Sequence, residues 1–220
     1  MVISYITIIG CMVLMPVIYW LVMWWYRPFF QEEENRKRLP FTSVEEVLSI
    51  LIGEIALYRI WNSLERPEFS DMIFSLLYII LVGMTIICFT DYWEKIVPNK
   101  ILLGLVFIYI LIVGFQGVHN LETIRMQFAS IALGFLFCLI SFGLVYLLGK
   151  GSMGAGDVKL ALVMGIYMTS NYVVGAILYG CIISAVYSVI QLIRKKVSRK
   201  DQLPFVPFLY IGVVIQYMIG

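Results

Sequence analysis

The sequence holds one histidine, His119, and that scarcity removes several kinds of chemistry at once. A Ser-His or Cys-His nucleophile needs a base beside it. The charge pattern sets His119 in an outer loop, on the opposite side of the membrane from every motif described here. No H-E-x-x-H occurs. Ser152 lies in Gly151-Ser152-Met153-Gly154, which is not the G-x-S-x-G elbow. A Ser-Lys arrangement using Lys150 or Lys159 has no further support. The four cysteines, Cys11, Cys88, Cys138 and Cys181, fall in apolar stretches and form no C-x-x-C pair. Neither a zinc site nor a disulfide framework is expected, and the four read as small buried residues. Charge is scarce as well: 14% of residues are charged, where a soluble domain carries about 25%. The net charge of +2 gives no reason to expect nucleic acid as a partner. No internal repeat and no low-complexity segment is present.

Apolar residues fill the space that charge leaves. They make up 61% of the 220 residues, and the mean hydropathy is +0.93. One membrane-embedded domain over 1–220 fits this better than soluble domains. A span needs about 20 apolar residues to cross about 30 Å of hydrocarbon. The pattern predicts an all-α, polytopic helical bundle of about eight transmembrane helices. They fall at about 2–26, 44–63, 72–90, 100–117, 126–148, 157–170, 172–193 and 204–220. The first run has no basic residue ahead of it and no small-residue cleavage site, so it reads as a retained span rather than a signal peptide. The second is the weakest. It carries Glu45, Glu46, Glu54 and Arg59, and its alternative is a surface helix.

Lysine and arginine orient the bundle. With the N-terminus outside, the cytoplasmic side holds Arg27, Arg36, Lys37, Arg38, Lys95, Lys100, Lys150, Lys159, Arg194, Lys195, Lys196, Arg199 and Lys200. Only Arg59, Arg66 and Arg125 stay opposite, a strong positive-inside bias. Both chain ends are then expected outside, in a cell's inner (cytoplasmic) membrane.

Carboxylates remain as candidates for chemistry. An ionisable side chain at membrane depth costs about 2.5–3.5 kcal/mol, so function is the first suspicion. Three are placed pointedly: Glu54, expected to pair with a polar neighbour, Asp91 and Asp157. Asp91 ends the third span. Asp157 follows the glycine-rich stretch Gly149-Lys150-Gly151-Ser152-Met153-Gly154-Ala155-Gly156 and opens the sixth. Taken singly, each has an ordinary reading, as a boundary charge or as a carboxylate at a helix N-terminus. Together they share the cytoplasmic face. The sixth span, fourteen residues at ~1.5 Å each, reaches only about 21 Å, which draws Asp157 into the bilayer edge. The glycines admit a close backbone. Two aspartates brought together cannot both ionise easily, so the pair shares a proton. The charged partner can activate water, and the protonated one can donate to a scissile carbonyl. That chemistry needs neither metal nor cofactor.

At these residues the chain resembles the type IV prepilin peptidases, a family of G-x-G-D membrane aspartic peptidases. Gly154-Ala155-Gly156-Asp157-Val158-Lys159-Leu160 is similar to the family's second catalytic motif, including Lys159. Asp91 followed by Val97-Pro98-Asn99 resembles the first. Leu203-Pro204-Phe205-Val206-Pro207-Phe208 resembles the proline-rich lead-in to the last span. The resemblance covers a catalytic core of about 72–220. It implies Asp91 and Asp157 as the catalytic pair, with Gly154, Gly156, Lys159, Pro98 and Asn99 in support. Pro98 suits the approach to the fourth span, and Asn99 is placed to cap it. Lys159 either anchors its span by snorkelling or tunes the carboxylates. The implied partner, besides the lipid bilayer, is a prepilin or pseudopilin precursor with a basic leader and a hydrophobic helix. The departure is at the front. Many bacterial members carry a longer first cytoplasmic domain with paired C-x-x-C motifs, associated with N-methylation of the product. Here the loop 27–43 is short and lacks cysteine, which removes the expectation of methyl transfer. Its Glu32-Glu33-Glu34 run is a solvated loop first and an attractor for a basic leader second. A presenilin-like protease would share G-x-G-D, but Thr90 precedes Asp91 where a tyrosine would stand, and no Pro-Ala-Leu occurs. A transporter using the same aspartates would show interrupted spans in two related halves, and no such repeat is found.

Overall fold

Backbone groups in hydrocarbon must be satisfied within the chain, and a helix does this locally. The computed structural model is accordingly helical throughout its regular segments. It describes residues 2–30, 43–63, 67–119, 121–149, 153–195 and 203–219. The helices are α1 Val2–Tyr26, α2 Val44–Ser63, α3 Pro67–Glu94, α4 Asn99–His119, α5 Leu121–Leu148, α6 Ala155–Ile193 and α7 Val206–Ile219. A 3-10 turn, Arg27–Phe29, follows α1. Most of the loop 27–43, with Glu32-Glu33-Glu34, lies outside the described residues, as do Lys150 and Ser152.

α6 is not one straight rod. Thr169 takes φ 57 and ψ 178, a region that side chains other than glycine rarely occupy. The contacts on either side show that the chain reverses there. On the first arm, Gly156 lies against Val97, and the Tyr167 hydroxyl donates to the Leu105 carbonyl at 2.6 Å. On the second arm, Tyr172 meets Tyr217 and Tyr187 meets Phe208. One arm therefore climbs beside α4 and the other descends beside α7. The two stretches expected at 157–170 and 172–193 are these arms, and the turn between them sits at Thr169. A close approach of α5 accompanies it. A Cβ on Gly134 would come 2.7 Å from the Gly165 carbonyl oxygen and 2.8 Å from the Thr169 carbonyl carbon. Ser130 and Ser170 share a hydrogen bond of 2.8 Å beside the turn.

Four of the described helices are long and apolar enough to cross a membrane: Ile73–Glu94, Asn99–Val118, Gln127–Leu148 and the bent Ala155–Ile193. The expectation of about eight spans corresponds to eight helical segments, with the bent α6 counted as two, and among the described residues these four helices have the length and apolar character of a crossing. α7 is a shorter apolar helix, and α2 carries four charges. α3 is the axis of the bundle, with 83% of its apolar stretch buried against 17% for α4 and α5. α1, α2, α4, α6 and α7 all pack on it.

α2, the segment that the charges made doubtful, is tied into the bundle by one of them. Glu46 is wholly buried. It accepts from the Tyr19 hydroxyl at 2.6 Å and from the Ser43 amide at 3.2 Å, while the Ser43 hydroxyl accepts from the Glu46 amide. Ser43-x-x-Glu46 is a capping box at a helix start. Glu54 is half-buried, and the Tyr210 hydroxyl donates to the Ser49 carbonyl of the same helix at 2.6 Å. Cys88 and Cys138 are buried as expected, but Cys181 is exposed on the second arm of α6. Apolar sequence around a cysteine does not say which face of its helix it occupies.

The helices alternate in direction, and the basic residues sort with them. Arg27, Lys95, Lys100, Lys159, Arg194 and Lys195 gather at the end where α3 finishes and α6 begins. Arg59, whose guanidinium donates to the Met218 carbonyl, and Arg125 lie at the other end. His119 closes α4 at that other end.

Candidate active site

Asp91 stands in the last turn of α3, not beyond it, because the helix runs on to Glu94. Lys95 then takes a positive φ of 53, its amide bonded to the Asp91 carbonyl at 2.9 Å. The chain runs without regular structure through 96–98 and enters α4 at Asn99. The Asp91 side chain is buried, 5% exposed. Its Oδ2 accepts from the Val206 amide at 3.1 Å, and the Phe205 backbone also hydrogen-bonds it. The carboxylate therefore sits on the N-terminal turn of α7, where free amides and the helix dipole favour an acidic group. The proline-rich lead-in brings that turn to Asp91.

Asp157 is in the first turn of α6. Gly154, extended at φ −71 and ψ 141, is the N-cap, and its backbone hydrogen-bonds the Asp157 carboxyl. Asp157 is half-buried, and its charge acts on the Asp91 carboxyl. The two aspartates, on separate helices, thus meet at one end of the bundle within electrostatic reach.

Their companions join the two motifs. A Cβ on Gly156 would lie 2.8 Å from the Cβ of Val97, so glycine is what allows α6 to close on the 96–98 segment. The Lys159 ammonium donates to the Asn99 side-chain oxygen at 3.0 Å. Asn99 was expected to cap α4. Instead the Pro98 carbonyl accepts from the Ile101 and Leu102 amides, and the Asn99 side chain is turned to Lys159. Gly154 lies beside Asp157, where an added Cβ would sit 3.3 Å from Oδ2. All seven site residues expected from the sequence are brought to the same end. Two features carried no side-chain signal: the Val206 and Phe205 main-chain contacts on Asp91. The Glu46–Tyr19 pair was also missed, although its Ser-x-x-Glu spacing is legible.

The Lys159–Asn99 contact makes a prediction. Lys159→Met should lower turnover by no more than about fivefold, since an exposed hydrogen bond is worth about 1 kcal/mol at most. Asn99→Ala should do the same, and the double variant should be no worse than either. Initial rates of the three decide it; additive losses would mean that the two side chains act separately.

Comparison with known proteins agrees with the motifs. The sequence model of the type IV leader peptidase family matches residues 78–189, a stretch holding both aspartates and all five companions. A protein of Bacillus subtilis (strain 168), described as prepilin leader peptidase/N-methyltransferase, is 24% identical over 137 residues. That alignment takes in 62% of this chain and 52% of the relative, so the chain spans about half the length of the relative that it matches. No solved structure matches. With half of its length matched by that family, and with the two acidic motifs folded together, the chain belongs to the type IV leader peptidase family.

Proposed function

We propose that this protein is a membrane aspartic endopeptidase that removes the leader of type IV prepilin-like precursors, with Asp91 and Asp157 as its catalytic pair. The observation that carries this is their convergence, from α3 and α6, at one end of the bundle. The pair shares a proton. The charged carboxylate takes a proton from water, the water oxygen attacks the scissile carbonyl carbon, and the protonated carboxyl donates to the carbonyl oxygen. The first carboxyl then passes its newly gained proton to the leaving nitrogen while a hydroxyl of the tetrahedral species returns one to the second carboxylate; the C–N bond breaks, releasing the new amino terminus and a leader carboxyl. Val206 and Phe205 hold Asp91 in place, and Gly156 with the Lys159–Asn99 bond keeps the two motifs in register.

The topology belongs to the same proposal. We place the Asp91 end at the cytoplasmic face of the inner membrane, with eight crossings and both described ends outside. The basic residues clustered at the Asp91 end support this orientation. A substrate with a basic leader and a following hydrophobic helix would keep its leader on that same side. The test is incubation of the purified protein with prepilin and pseudopilin precursors, followed by mass measurement of any new N-terminus. Cleavage at the junction of leader and apolar helix is expected. Failure with every such precursor, by a folded protein, sinks the reading.

Recognition should depend on backbone access, since a helical substrate hides its peptide groups. The family resemblance implies a glycine just before the cut. Replacing that substrate glycine with a bulky residue should slow cleavage far more than replacing one leader lysine. Equal losses for the two substrate variants would make recognition mainly electrostatic.

Methyl transfer is not expected, although the Bacillus relative's name includes it. The loop 27–43 is short and cysteine-free. S-adenosylmethionine supplied with the cleaved product should leave its mass unchanged; a gain of one CH₂ would reveal a methyl-transfer site.

A further inference from the structure

The axial helix α3 is enclosed on every side but one. α1 packs on α2, α2 on α7, α7 on α6 and α6 on α4, in turn around it. Among the described residues, α1 and α4 do not close the ring along their length. The opening is a cleft of about 320 Å³. Its walls are apolar, with Ile18 and Val22 from α1, Val82 and Gly83 from α3, and Gly104 and Ile108 from α4. Its one charged lining residue is Lys100, at the Asp91 end, whose ammonium lies 3.3 Å from the centre of the Phe29 ring. Trp25 lines the same end. A second cleft, bordered by Trp24, Trp25, Arg27 and Phe29, shares Trp25 with it.

The shape calls for an apolar chain, and the charge calls for an anion at one end. A substrate helix fits neither the position nor the charge. Val82 and Ile86, which line the cleft, precede Asp91 by nine and five residues. At 3.6 residues per turn they lie roughly 140–180° around α3 from it. A peptide seated here would have its junction on the wrong side of α3, with its basic leader beside Lys100. An anionic lipid meets both demands. Basic pockets between spans hold anionic headgroups, and tryptophan belongs at the membrane–water interface.

We infer that the α1–α4 cleft binds one anionic phospholipid, its acyl chain along Ile18, Val22 and Gly104 and its phosphate on the Lys100 ammonium. The site depends on the chain lying in a membrane and not on the peptidase reading.

Native mass spectrometry of the whole protein in mild detergent tests it, with phosphatidylglycerol and phosphatidylcholine of the same chain length offered equally. The unaltered protein should retain phosphatidylglycerol about fivefold more, the worth of one basic residue at an anionic surface. Lys100→Gln should remove that preference. Gly104→Leu should lower retention of both lipids. A Cβ there meets nothing within 4 Å, so the side chain enters the open cleft without displacing the fold. Equal retention of both lipids by the unaltered protein would overturn the proposal, whether or not the variants fold. So would an undiminished preference in Lys100→Gln. A photo-reactive residue in place of Ile108 should label lipid; labelling of a prepilin's apolar segment, or of a second copy of this chain, would overturn it too.

Discussion

Asp91→Asn and Asp157→Asn should each abolish leader cleavage while the protein still folds and inserts. Asparagine keeps the shape of aspartate, and its side-chain oxygen can still accept the Val206 amide that now reaches Asp91 at 3.1 Å. What it loses is the ability to take or give a proton at that position. Acid–base catalysis contributes about 10²–10⁴-fold, and a pair that shares one proton fails as a unit. The double variant should therefore be little worse than either single one. The measurements are initial rates on a purified precursor, with circular dichroism and detergent elution to confirm folding. Robust turnover by either single variant would remove that residue from the pair. A double variant much slower than both singles would mean that each carboxylate supports a separate step.

Much of this arrangement is legible in the amino-acid sequence. Apolar run length marked α3, α4 and α5, because the hydrocarbon thickness fixes the length of a span. The break between 157–170 and 172–193 anticipated the turn at Thr169 within two residues, although no glycine or proline stands at 169–171 to announce it. The basic residues separated the two ends of the bundle, and with them Asp91 and Asp157 fell on one side. The unseen features are of another kind. The Val206 amide reaches Asp91 across 115 residues of sequence, and any non-proline residue supplies an amide, so composition gives no hint. Glu46 weighed against α2 as a span because a charge reads as surface. Its burial depends on Tyr19 from another helix. Cys181 is apolar in context yet faces outward, since facing depends on which neighbours a helix meets. Helix ends lie beyond the apolar runs: α3 extends four residues past 90, because polar residues continue a helix at the membrane edge without lengthening its apolar run.

Gly156→Ala should be nearly as damaging to catalysis as loss of a catalytic carboxylate, although the added group is one methyl and lies outside the reacting atoms. Its Cβ would stand 2.8 Å from the Cβ of Val97. Ordinary carbon–carbon contact begins at about 3.5 Å, so α6 must move from the 96–98 segment by roughly 0.7 Å. Asp157 is the next residue and moves with it, while Asp91 stays on the N-terminal turn of α7. A misplacement of about 1 Å at a reacting pair costs on the order of 10²-fold. Partner variants separate this cause from a general loss of stability. Val97→Ala keeps the Cβ that clashes, so it should not rescue Gly156→Ala. Val97→Gly removes that atom and should restore most of the activity. Gly154→Ala provides the contrast within the same motif. The backbone there is extended at φ −71, and the added Cβ would be 3.3 Å from the Asp157 Oδ2, a contact that a small rotation of the carboxyl relieves. Its loss should stay within about tenfold. Rescue of Gly156→Ala by both Val97 variants, or by neither, would show that the spacing between these two segments is not what holds Asp157 in place.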